Sequence, residues 1–206
     1  MTASEILTYD PRVARLPVTT FSPISVVSVS WASPEQFLAG LDPLEISPLL
    51  RVLLTSDGSM TTLLEAVRLA PVDLEVIRQD EEPLDDDAAL HLGVRARQPT
   101  ITRHVWLSQA GHRLLYASSV LPTATLSPTL ADGVRRALEP LGRLLDGCGR
   151  AVMRDRLRIG RLDHPALAEA LGGAAAERLW CRSYRLTVEQ TLTASIFEVF
   201  SPRLVD

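Results

Sequence analysis

The sequence predicts an α+β fold: a single domain with an antiparallel sheet and helices packed on one side. Two observations predict it. The order of segments is helices, a strand, a hairpin, helices, then three strands, with hairpin connections dominating. Regular β-α-β alternation, the mark of a parallel sheet, is absent. Length and composition agree, since 206 residues at 46% hydrophobic content can bury one sizeable core. There is no internal repeat and no sign of a second core.

In chain order, residues 1 to about 22 specify little, being punctuated by Pro11 and Pro17 before Pro23. Ile24 to Trp31 reads as a short strand or an extended arm. Ser33-Pro34-Glu35 starts a short helix, with serine as cap and proline in the first turn. Residues 1–47 are therefore read as an N-terminal arm with a short helix, and residues 48–206 as the domain proper. Ser47-Pro48 repeats the helix start. Ser56-Asp57-Gly58 breaks that helix, and Ser59 can cap a second one over Met60 to Leu69. This pair is an αα-hairpin. Its second helix has no basic face with which to read DNA. Val72 to Gln79 alternates as a strand, and the acidic run Asp80 to Asp87 reads as a solvated loop. Consecutive carboxylates without calcium-loop glycine spacing rarely converge on one ion.

Thr100 to Pro122 reads as a β-hairpin, with strands Ile101–Leu107 and Leu114–Leu121 around a glycine turn at Ser108–His112. Ser127-Pro128 starts a helix reaching about Leu138, and a short helix covers Arg143 to Asp146. Val152 to Ile159 alternates, which places Arg154, Arg156 and Arg158 together on a solvent-facing side. Asp163 to Gly173 is a small helix or loop. Leu179–Val188 and Thr191–Phe200 are the last strands, and Pro202 stops the second.

Several functions are excluded. The net charge of −4, with both signs interspersed, suits neither nucleic acid nor an anionic membrane surface. No apolar run approaches the ~20 residues of a membrane span, and the first residues do not read as a secretory signal. Two cysteines, Cys148 and Cys181, make no disulfide framework, so a reducing, cytoplasmic setting is expected. All 21 basic residues are arginine, the mark of a GC-rich bacterial coding bias. Without lysine there is no Schiff base and no phosphate-loop lysine. His91, His104, His112 and His164 do not cluster, and no HExxH, Cys-x-x-Cys or GxSxG motif occurs.

Three residues break the apolar pattern. Side chains alternate faces along a strand, so Arg103 shares a face with Ile101, Val105 and Leu107. Glu198 likewise shares a face with Leu192, Ala194, Ile196 and Phe200, and Arg182 with Trp180, Tyr184 and Leu186. A buried guanidinium is costly unless a carboxylate meets it. That carboxylate belongs either to the protein, as in an Arg103–Glu198 pair, or to a ligand. For Arg182 the plain alternative is a surface arginine lying along apolar groups.

Four stretches resemble, in order, the chorismate lyase (4-hydroxybenzoate synthase) family. They are Leu53–Thr61 (LLTSDGSMT), Arg103–Pro122 (RHVWLSQAGHRLLYASSVLP), Glu139–Leu144 (EPLGRL) and Trp180–Pro202 (WCRSYRLTVEQTLTASIFEVFSP). The resemblance spans roughly Pro48 to Pro202. It implies a six-stranded antiparallel sheet with helical flaps over a buried site, and a cofactor-independent enzyme that converts chorismate to 4-hydroxybenzoate and pyruvate. It implies that Arg103 binds the ring carboxylate and that Glu198 meets the hydroxyl end and handles the proton. Met60 and Leu141 would supply apolar walls or backbone contacts. Arg182 is the candidate for the second carboxylate. No metal and no organic cofactor are implied, and ubiquinone-precursor supply is the family's setting. The chain departs at Ser118, where some members carry another arginine. The same fold also serves ligand-binding domains of bacterial regulators, so a non-catalytic aromatic-acid sensor is the alternative.

Overall fold

The central hairpin closes through Ala110 (φ 49°) and Gly111 (φ 78°). Two consecutive positive φ angles give the primed turn whose twist matches that of the flanking strands. The computed structural model describes residues 30–42, 45–84, 86, 89, 92, 94–147, 149, 151–189 and 191–204. Its strands are β1 (Asp73–Pro83), β2 (Pro99–Gln109), β3 (His112–Pro122), β4 (Val152–Leu162), β5 (Leu179–Val188) and β6 (Thr191–Phe200). They form one six-stranded sheet in the order β1-β2-β3-β6-β5-β4, antiparallel at every pairing. The halves join where β3 meets β6, from Leu115 opposite Phe200 to Val120 opposite Ser195.

The helices are α1 (Pro34–Gly40), α2 (Pro48–Thr55), α3 (Met60–Arg68), α4 (Pro128–Arg136), α5 (Leu141–Asp146) and α6 (Pro165–Ala170). Serine-proline starts work as the sequence implies. Ser33, Ser47 and Ser127 accept hydrogen bonds from the backbone N–H of Gln36, Leu50 and Leu130, each such cap contributing about 1 kcal/mol.

Strand parity sorts the core. On the front face, α1, α2 and α3 pack over Val105, Leu107, Leu115, Ile159 and Phe200. Beside them α4 and α5 pack over Ile101, Leu121, Tyr184, Leu186 and Ile196. The back face carries Trp106, Tyr116, Phe197 and Val199, covered by α6 and by the apolar residues Leu84, Ala89 and Leu92. The helical layer is thus mainly on the front, with the single short α6 behind.

Two local expectations are corrected. The strand expected to end at Gln79 runs on to Pro83, so Asp80, Glu81 and Glu82 are strand and not loop. Pairing of Asp80 with Thr102 and Glu82 with Thr100 supplies the backbone bonds. On this edge strand the charges stay partly solvated, in ion pairs of Arg78 with Asp80 and Arg135 with Glu81. Asp85 and Asp87 lie outside the described residues. The second correction is in β4, where Arg154, Arg156 and Arg158 do not share a face. A register shift between Asp155 and Arg158, with Arg156 at φ 53°, is a bulge that flips parity. Arg154 falls opposite Leu186 and Ile159 opposite Arg182, so both face front. Arg158 instead lies over the Trp31 ring, against the back-face core.

Trp31 also packs edge-on against Phe197, and Ala32 bridges to Ile159. The expected extended segment before Trp31 lies outside the described residues, as do Cys148 and His91. Cys181 is a free, buried thiol, and burial raises its pKa. No described helix is long and apolar enough to cross a membrane.

His104, on the back face of β2, is buried and shares a 2.7 Å hydrogen bond with Tyr116. Burial, helped by Arg78 and opposed by Asp80, pushes its pKa down to about 4. Below its ordinary value near 6.5 the unfolded chain then binds a proton that the folded chain refuses. Stability should be full above about pH 6.5 and fall as pH drops toward about 4, by ~3 kcal/mol at most. In urea titrations across that window, His104→Gln should show a distinctly flatter stability profile.

Candidate active site

The front-face core is split by a polar strip, and a cavity opens along it. Arg103 enters from β2. It is 2% exposed, and one Nη donates to the Glu139 carbonyl at 3.1 Å. Its Nε has no partner. Among the described residues no carboxylate lies within ion-pair distance of it. Desolvation without a counter-charge pushes its pKa down to about 10.

Glu198 comes from β6, two strands away, directly opposite Arg182 of β5. Arg182 is fully buried. Its Nε donates to Glu198 Oε2 at 2.5 Å. One Nη donates to the carbonyls of Leu53 and Ser56 at 2.7 and 2.8 Å, which fastens the end of α2 to the sheet. The guanidinium also lies over the Tyr184 ring. Burial works against its charge, and Glu198 and Tyr184 more than offset that, so its pKa is raised. The Tyr184 hydroxyl donates to Glu198 Oε1 at 3.1 Å. Burial, then the Glu198 charge, raise that hydroxyl's pKa, so tyrosine stays a donor.

The cavity, with the open solvent at its mouth included, is about 570 Å³. Arg103, Glu198, Met60 and Leu141 all line it, with Tyr184 and Arg154. Val105, Leu107, Ala117, Leu186 and Ile196 supply apolar floor. Arg182 is not among the lining residues; it reaches the site through Glu198. The Arg103–Glu198 pair that strand parity left open does not form, because Arg182 takes the carboxylate. The surface alternative for Arg182 is excluded by its complete burial.

Two helix starts meet over the cavity, Met60-Thr61 of α3 and Pro140-Leu141-Gly142 of α5. Neither has a side-chain cap, and the Ser59 hydroxyl before α3 is buried without a partner. First-turn N–H groups lack helical acceptors. A Cβ at position 142 would sit 2.9 Å from Ser59 Oγ, so glycine lets the two starts approach. An ion pair between Arg143 and Glu65 ties α5 to α3.

The cavity thus holds a buried arginine without a carboxylate, facing a glutamate held by tyrosine and arginine. The model of the Rv2949c-like chorismate pyruvate-lyase family matches residues 54–206. The chain belongs to this family. Every lining residue named above falls within the matched span.

A curated relative from Halorhodospira halophila, described as a probable chorismate pyruvate-lyase, is 37% identical over 122 residues. That match covers 56% of this chain and 60% of the relative. Among solved structures, the effector domain of PhnF from Mycobacterium smegmatis has a TM-score of 0.57 at 17% identity, over 71% of this chain and 90% of that one. The ligand-binding domain of a GntR-family regulator from Bordetella bronchiseptica gives 0.52 at 15%, over 63% and 84%. At these identities the likeness is one of fold.

Two titratable lining residues, Tyr184 and Arg154, are not legible as site residues from the sequence. Strand parity marks Tyr184 only as a neighbour of Arg182 on the same face. Parity puts Arg154 on the solvent side, because nothing in the sequence marks the bulge at Arg156.

Proposed function

We propose that this chain is a cofactor-independent chorismate pyruvate-lyase, converting chorismate to 4-hydroxybenzoate and pyruvate in the cavity between α3, α5 and the sheet. One observation carries this reading. Arg103 and Glu198 stand on the same face two strands apart, line one apolar cavity, and are not bonded to each other. An arginine buried without a carboxylate calls for an anionic ligand. A glutamate already fixed by Arg182 and Tyr184 can accept a hydrogen bond from a substrate hydroxyl in a set orientation.

In this reading the ring carboxylate lies on Arg103, beside the uncapped starts of α3 and α5. Met60 and Leu141 wall the ring, and Glu198 faces the C4 hydroxyl and takes part in moving the proton. The bond from ring C3 to the enolpyruvyl oxygen breaks, and the C4–H electron pair becomes part of the aromatic ring. The proton from C4 ends on the departing enolpyruvate carbon, giving pyruvate. Aromatisation drives the step. The protein's contribution is orientation and a water-poor, preorganised electrostatic setting. The division into an arm, residues 1–47, and a catalytic domain, residues 48–206, belongs to the same reading, as does a cytoplasmic setting.

The test is direct. Purified protein incubated with chorismate should release 4-hydroxybenzoate and pyruvate in equal amounts, with no metal or coenzyme added. Tight binding of 4-hydroxybenzoate without pyruvate release would favour the aromatic-acid sensor instead.

A further inference from the structure

The geometry points to Arg154 as a second carboxylate-binding residue, which makes the cavity selective for a dianion over a monoanion. This rests on the reading of the cavity as a carboxylate site anchored by Arg103.

The position follows from the sheet order. β2 lies two strands to one side of β6, and β4 lies two strands to the other. Arg103 on β2 and Arg154 on β4 therefore enter from opposite sides of β6, Arg103 in register with Ile196 and Arg154 with Ala194. Tyr184 on β5 stands between Glu198 and Arg154, and the Arg154 charge acts on its hydroxyl. All four line the one cavity. The bulge in β4 creates this arrangement, since without the flip at Arg156 the residue would point to the other face.

The hydrogen bonding of Arg154 is that of a held but unsatisfied donor. Nη1 donates to the Asp57 carbonyl at 2.9 Å, in the turn between α2 and α3. Nε is buried with no partner. Among the described residues no carboxylate lies within ion-pair distance of it. The Asp57 carbonyl fixes one edge of the guanidinium and leaves donors to meet an anion. With Glu198 balanced by Arg182, the two lining arginines leave two positive charges uncompensated among the described residues. A ligand with one carboxylate at each end neutralises both. In chorismate those are the ring carboxylate on C1 and the enolpyruvyl carboxylate carried on C3, with the C4 hydroxyl at Glu198.

The test uses stable ligands, so that it does not depend on turnover. Calorimetry would compare 4-hydroxybenzoate with 3-(carboxymethoxy)-4-hydroxybenzoate, the same ring bearing a second carboxylate arm. The wild type should prefer the dicarboxylate. Arg154→Gln should weaken dicarboxylate binding roughly 20-fold or more, while shifting 4-hydroxybenzoate by no more than about 3-fold, within ordinary context effects. Arg154→Lys should keep part of the preference, and it serves as the second variant if the glutamine protein does not fold. A merely structural role, bracing the α2–α3 turn, would weaken both ligands alike and lower the thermal midpoint, and that result overturns the inference. So does a wild type that binds the two ligands equally. If the preference depends on Arg154 but chorismate is not consumed, the inference stands and the lyase reading falls. If chorismate is consumed and Arg154→Gln leaves its KM unchanged, the reverse holds.

Discussion

Arg103→Met should abolish most 4-hydroxybenzoate binding and turnover while leaving the protein as stable as before, or more so. The two effects have one cause. In the free protein the Arg103 guanidinium is 2% exposed, has one hydrogen bond to a carbonyl, and holds an unpartnered Nε. Its charge is unfavourable there, as its lowered pKa records. Methionine removes the desolvation penalty and keeps most of the volume. The ligand carboxylate then loses its charged partner. Truncating one side of a buried, charged hydrogen bond costs ~2–5 kcal/mol, or roughly 30-fold to several thousand-fold in affinity. Calorimetry with 4-hydroxybenzoate measures the first effect and thermal unfolding the second. A folded Arg103→Met protein with ordinary turnover would remove Arg103 from the site. A strongly destabilised one would mean that the arginine is structural.

Strand parity decides which parts of the molecule are legible in the sequence. β5 and β6 are readable because their register shift lies after Arg182 in β5 and before Ala194 in β6, and pairing is regular from there to Val199, so Arg182 and Glu198 keep the faces that counting by two gives them. β2 was readable for the same reason up to Leu107, and Arg103 faces the core as expected. Partnership was not readable. Counting faces cannot tell that Glu198 lies directly opposite Arg182, because that depends on the β5–β6 register. Arg154 was lost to a one-residue slip, which reverses every later side chain. Arg156 at the bulge is an ordinary side chain at positive φ, where glycine would have given a signal. The acidic strand end at Asp80–Glu82 was hidden by composition, since pairing with β2 overrides a poor intrinsic preference.

Arg182 and Arg103 share burial and residue type, yet substitution should act on them in opposite ways. Arg182→Met should destabilise the fold by ~3–5 kcal/mol, because it leaves Glu198 as an uncompensated buried carboxylate. It also frees the Leu53 and Ser56 carbonyls that hold the end of α2. For a chain of this size that is a drop of roughly 6–20 °C in the thermal midpoint. Activity should fall as well, since Glu198 would keep the Tyr184 bond but lose the guanidinium that fixes its other oxygen. The double variant Arg182→Met with Glu198→Gln separates the two effects. Removing the second charge should recover a good part of the stability, because a neutral amide costs less to bury than a lone carboxylate. It should recover none of the activity if Glu198 handles the proton. Were the single variant as stable as wild type, the 2.5 Å contact would be incidental to the fold. Were the double variant active, proton handling would have to belong to another group in the cavity, with Tyr184 the nearest to consider.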